Sequence, residues 1–153
     1  MIQRIQSVYL LVTAILIAIT AFMPIAYFTG IDSVAADCTL RPLGMRMPDG
    51  HFQSTFGLFA LLLLTAIVIL GNILLYKARM LQIRLIIFAG LLIVGFYLVF
   101  AVFAVVISST HPEATFRIGW ALCLPLVGLI LLYLAFRGIY RDEILVRSIN
   151  RLR

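Results

Sequence analysis

Four stretches of this chain, residues 7–28, 54–76, 85–108 and 118–136, contain no Asp, Glu, Lys, Arg or His. Each is close to the roughly 20 apolar residues that a helix needs to cross the ~30 Å hydrocarbon core of a bilayer. Buried helices of soluble proteins are rarely that long and that free of charge. A membrane barrel would instead show weak alternation over segments of about ten residues. The composition points the same way: 64% of the 153 residues are hydrophobic and 12% are charged, against about 45–50% and about 25% in soluble domains. So large an apolar excess cannot be hidden inside a globule of this size. The expected fold is an all-α membrane protein, a four-transmembrane-helix antiparallel bundle occupying residues 1–136. A short outer-loop hairpin falls within residues 29–53, and a cytoplasmic amphipathic C-terminal helix covers residues 137–153.

The flanks orient the bundle. With the N-terminus inside, Arg4, Lys77, Arg79, Arg84, Arg137, Arg141, Arg147, Arg151 and Arg153 lie on the cytoplasmic side, and only Arg41, Arg46 and Arg117 lie outside. Cytoplasmic flanks carry the excess of Lys and Arg, so both termini are expected in the cytoplasm. The competing reading of the first block is a cleaved signal peptide, with Arg4 ahead of an apolar run. That run is longer than a usual signal core, and no clear small-x-small cleavage site follows it. Asp37 stands before Cys38, where a lipoprotein signal needs a small residue.

Within this frame the punctuation is modest. Pro24 is expected to bend the outer end of the first helix and Pro125 the fourth. Residues 47–51 (MPDGH) read as a tight turn between short strands. Such a hairpin would have to lean on the helix ends, since an isolated one is marginal in water. The short connection after residue 76 makes the second and third helices antiparallel neighbours. Asn72 lies about a turn inside that end and is a candidate interhelix polar contact. Ala14 and Ala18 have the spacing that permits close helix approach. Gly90 and Gly95, five apart, do not. Beyond residue 136, Ile144, Leu145, Ile149 and Leu152 recur at helical spacing, and Glu143 precedes Arg147 by four residues in the favourable order. The result is a basic amphipathic helix that can lay Arg141, Arg147, Arg151 and Arg153 toward anionic headgroups.

The inventory of chemistry is thin. Cys38 and Cys123 could meet if the outer loop folds inward, but no C-x-x-C is present. His51 and His111, with Cys38, Asp49 and Glu113, lack the spacing of a metal site, and solvated loop histidines are the default. Paired catalytic carboxylates, a nucleophile elbow and a phosphate-binding glycine loop are missing. No span holds the ionisable residue that usually marks a proton or ion path. No catalytic, cofactor-binding or metal residues are therefore assigned and no cofactor is expected. The net charge of +6 is explained by topology, and no nucleic-acid platform accompanies it.

The two ends, MIQRIQSVYLL and RGIYRDEILVRSINRLR, resemble the termini of a family of uncharacterised four-helix inner-membrane proteins of Bacteroidota, a domain of unknown function. The resemblance implies the inner membrane of a Gram-negative cell. It implies that the cytoplasmic ends matter most, which singles out Arg4, Arg141, Asp142, Glu143, Arg147 and Arg153. The leading expectation is a non-enzymatic accessory or scaffold subunit whose basic tail contacts an inner-membrane protein partner or membrane lipid. Self-association is left open. The alternative is a small-solute or lipid transporter acting as a homo-oligomer, with Asn72, Thr65, Thr13 and Thr20 along its path. A third reading, a lipid-active enzyme, would draw on His51, Asp49, His111 and Glu113.

Overall fold

The computed structural model describes residues 2–29, 38–46, 52–75, 78–110 and 115–151. In chain order the elements are α1 (Ile2–Phe22), β1 (Ala26–Thr29), β2 (Cys38–Arg41), β3 (Gly44–Arg46), β4 (Phe52–Gln53), α2 (Phe56–Leu74), α3 (Arg79–Thr110), β5 (Thr115–Ile118), a 3-10 turn (Trp120–Leu122) and α4 (Cys123–Arg151). All four helices are long and apolar enough to cross a membrane. α1 packs on α2 and α4, α2 packs on α3, and α3 touches α4 more lightly, which closes an antiparallel ring.

The inward faces follow helical periodicity. On α2 the buried positions are Leu58, Leu62, Thr65, Ile69 and Asn72, a repeat of four and three that stacks residues on one side. On α1 they are Gln6, Leu10, Thr13, Ala14, Ile17, Thr20 and Ala21. Only 22–39% of each candidate span is buried within the protein. The rest is an apolar belt that lipid tails can cover and water cannot.

Ala14 and Ala18 do not share a packing face, because Ala14 is buried and Ala18 is exposed. Close approach of α1 and α4 is achieved at Gly128 instead. A methyl group there would come within 3.2 Å of Thr13 Cγ2.

Two apolar blocks divide differently from the plain hydropathy pattern. The first helix, expected over residues 7–28, ends at Phe22. Pro24 has no N–H and disfavours helical backbone at the residue before it, so the proline ends the helix and does not merely bend it. The chain then turns into β1, with the Ile25 amide donating to the Leu40 carbonyl at 2.9 Å. The fourth block loses Ile118 to β5, and its helix starts at Cys123. Pro125 falls in the first turn of α4, where a missing N–H costs little. Toward its other end α4 runs unbroken to Arg151, so residues 137–151 extend the fourth helix.

The hairpin expected in the first loop is part of a larger antiparallel sheet of five strands, ordered β4-β3-β2-β1-β5. β3 and β4 pair through Met45 with Gln53 and Arg46 with Phe52, flanking the 47–51 turn, which lies outside the described residues. The second loop supplies β5, which pairs with β1 from Ala26–Ile118 to Thr29–Thr115. Two loops thus make one cap. Ala26, Phe28, Cys38, Leu40 and Met45 turn inward and are buried with the helix interior in one cluster.

Several contacts seat the cap on the bundle. The Thr55 hydroxyl, just ahead of α2, reaches the carbonyls of Arg41 at 2.8 Å and Pro42 at 3.1 Å. The Tyr97 hydroxyl of α3 donates to the Leu122 carbonyl at 2.7 Å. Phe116 of β5 lies against Phe28 at 5.1 Å and Phe100 of α3 at 6.5 Å between ring centroids.

Gly119 joins β5 to the turn that starts α4, and its amide donates to the Ile25 carbonyl at 2.9 Å. A methyl group at Gly119 would stand 2.9 Å from the backbone of Ile25 and Pro24, which cannot move aside as a side chain could. Gly119→Ala is therefore expected to destabilise the protein by about 1–3 kcal/mol, read as a lower thermal unfolding midpoint in detergent. Gly95→Ala, where the added methyl meets nothing within 4 Å, should leave that midpoint in place.

Candidate functional site

The end of the bundle opposite the sheet gathers both chain termini and the α2–α3 connection. Two polar clasps lie there. In the first, Gln6 of α1 donates from Nε2 to Oδ2 of Asp142 on α4 at 3.0 Å. Gly138, one turn before Asp142, makes the room: a methyl group at that position would come within 3.1 Å of Gln6 Nε2. In the second, Asn72 of α2 donates to the Gln82 carbonyl at 3.3 Å, and Gln82 Nε2 of α3 donates to the Asn72 carbonyl at 3.1 Å. Both side chains are buried. Asn72 Oδ1 is buried without a hydrogen-bond partner.

These clasps tie helices together where apolar packing would otherwise be the only link. Interhelix hydrogen bonds of this kind contribute about 0.6 kcal/mol on average in membrane proteins, so they fix register more than they supply stability.

Around them the surface is basic. Arg84, Arg137 and Arg141 are exposed. Among the residues singled out by the sequence, Asp142 is half-buried and turned to Gln6, which makes it a brace between the termini. The backbones of Arg4, Glu143, Arg147 and Arg151 are helical. Their side chains and all of Arg153 lie outside the described residues. Gln6, Gln82 and Gly138 were not singled out by sequence. Gln6 and Asp142 stand 136 positions apart, and no local pattern links them.

Thr13, Thr20 and Thr65 return their hydroxyls to carbonyls four residues earlier on their own helices, at 2.7–2.8 Å. With Asn72 they are buried inside the protomer. None reaches the outer surface, where a path between copies would have to run. At the sheet end, Cys38 is buried, Cys123 is exposed, and no disulfide joins them. Among the described residues no three of His, Cys, Asp and Glu come together to hold a metal ion. Asp49, His51, His111 and Glu113 lie outside the described residues.

Four long apolar helices in a closed ring, with hydrogen-bonded clasps at one end and a strand cap at the other, define a multi-pass membrane protein. The chain belongs to DUF4293, a domain of unknown function, whose family model matches residues 2–152. No curated protein matches the chain.

The Gln6–Asp142 bond can be isolated by a double-mutant cycle. Gln6→Ala, Asp142→Ala and the double variant should give a coupling energy of about 0.5–1.5 kcal/mol in reversible unfolding in mixed detergent micelles. Additive effects would show that the two helices are held by packing alone.

Proposed function

We propose that the protein is a non-enzymatic accessory or scaffold subunit of an inner-membrane assembly. In this reading both termini are cytoplasmic, the sheet caps the outer face, and the basic end contacts a protein partner or anionic lipid. The observation that carries it is the distribution of charge: nine of the 12 Lys and Arg residues belong to the end where the chain begins and finishes. Basic flanks of this kind remain on the cytoplasmic side during insertion.

Two structural features support a presenting role. The Gln6–Asp142 clasp joins the first and last helices, so the start of α1 lies beside the stretch of α4 that leads into the tail. The unbroken run of α4 to Arg151 gives Arg141, Glu143, Arg147 and Arg151 a helical support. With Arg4 and Arg153 they are the residues proposed to make the contact.

Orientation is read directly with C-terminal fusions. A fluorescent protein at the C-terminus should be bright and alkaline phosphatase at the same place inactive. The opposite pair of results would invert the bundle.

The contact is tested by affinity capture of the tagged chain from native membranes, comparing wild type with a chain ending at Asp142. That truncation keeps the clasp and removes the rest of the tail. A defined partner lost on truncation supports the scaffold reading. Capture of the same proteins by both forms, or of none, would count against it.

A further inference from the structure

α3 and α4, the most lightly packed neighbours in the ring, are separated toward the basic end by a groove of about 300 Å³ lined by Ile86, Gly90, Val94, Leu129, Tyr133 and Phe136, among others. Its walls are almost wholly apolar. A methyl group at Gly90 would meet nothing within 4 Å, so the glycine leaves open space in the groove wall. From Ile86 to Val94 the groove runs about 12 Å along the helix axis.

The mouth has a different chemistry. Arg84 stands three residues before Ile87, a lining residue, and Arg137 follows Phe136 directly. Both are exposed. Tyr140 stacks on Phe136 with centroids 5.9 Å apart and planes at 13°, and its ring is exposed. A tyrosine in such a place is suited to the headgroup level.

We propose that this groove is a binding site for an anionic phospholipid, with one acyl chain along the α3–α4 cleft and the phosphate between Arg84 and Arg137. An apolar slot with an exposed arginine just beyond its lining residues on each helix matches a molecule with a long apolar tail and a negative head. A transmembrane helix of a partner would meet the arginines without a counter-charge. The proposal deepens the lipid contact suggested for the basic end, and it rests on that reading only for the leaflet that supplies the lipid.

The test uses the full chain in phosphatidylcholine nanodiscs holding a minority of phosphatidylglycerol with a diazirine in one acyl chain. Photolabelled residues are mapped by mass spectrometry. A phosphatidylcholine diazirine probe serves as the comparison. Nanodiscs offer lipid at both ends of the bundle, so a wrong orientation, which the fusions report, cannot mimic failure of the site.

Groove residues such as Val94 and Tyr133 should label more strongly with the anionic probe. Arg84→Gln and Arg137→Gln should each reduce that preference by about five-fold. Gly90→Phe, which puts a ring into the groove from a Cβ position that meets nothing within 4 Å, should abolish labelling there with both probes. Equal labelling by the two probes in wild type, or undiminished labelling in Gly90→Phe, would overturn the proposal. So would an unlabelled groove in a chain that runs as a dimer, which would assign the cleft to a second copy.

Discussion

Inside hydrocarbon no water is available to satisfy a backbone amide or carbonyl, and this constraint governs the rest of the structure. A chain with four apolar blocks can cross a bilayer only if each block satisfies its own backbone, which means as a helix. Once lipid is the solvent, apolar residues no longer distinguish inside from outside, since lipid tails are as apolar as leucine. What determines the packing is the small remainder: the glycine that admits Thr13 of α1 against α4, the two amide clasps, and the threonines that fold their hydroxyls back onto their own helices. The interior is thus specified by few residues and could not be read from hydropathy alone.

The sheet answers the same constraint at the other end. Backbone leaving a helix at the membrane surface must find partners quickly. Here the two loops find them in each other: β1 follows the proline that stops α1, β2 to β4 complete the first loop, and β5 from the second loop adds to the free side of β1. Elements far apart in sequence are joined in this way, and Gly119 packs directly on the backbone of Pro24 and Ile25. The cap meets α2 through Thr55 and α3 through Phe116, and Tyr97 ties α3 to the turn that starts α4. The clasps hold the opposite end, so the bundle is fastened at both ends and packed by apolar contact between them.

The legible and illegible parts of the sequence divide along physical lines. Helix number and class follow from length and charge, which are properties of a segment by itself. The strands flanking the MPDGH turn had a local signal in the turn residues. β5 had none: TFRI is four residues long, and its strand character comes from pairing with β1, 86 residues distant at Thr29–Thr115. The end of α1 could have been placed by giving Pro24 more weight, since proline stops a helix more often than it bends one near a terminus. Asn72 was visible as a polar residue in an apolar run. Gln6 was hidden in a polar N-terminal stretch, and its partner Asp142 read as a surface charge. Sequence patterns report a residue's own chemistry and neighbourhood, whereas a tertiary hydrogen bond depends on two distant places at once.

The helices differ in length, and the bilayer must accommodate that difference. The charge-free stretch of α3, residues 85–108, covers 24 residues and the apolar span of α2 covers 19, or about 36 Å against about 28 Å along the axis. A bilayer with a ~30 Å core matches α2 and falls short of α3. Tilt recovers part of the difference, and stretching of adjacent acyl chains recovers more at a modest cost per ångström. Lipids beside α3 therefore meet a longer apolar face than lipids beside α2. The protein thus offers the bilayer apolar faces of unequal height around its own perimeter, so its surroundings in the membrane plane have a preferred direction.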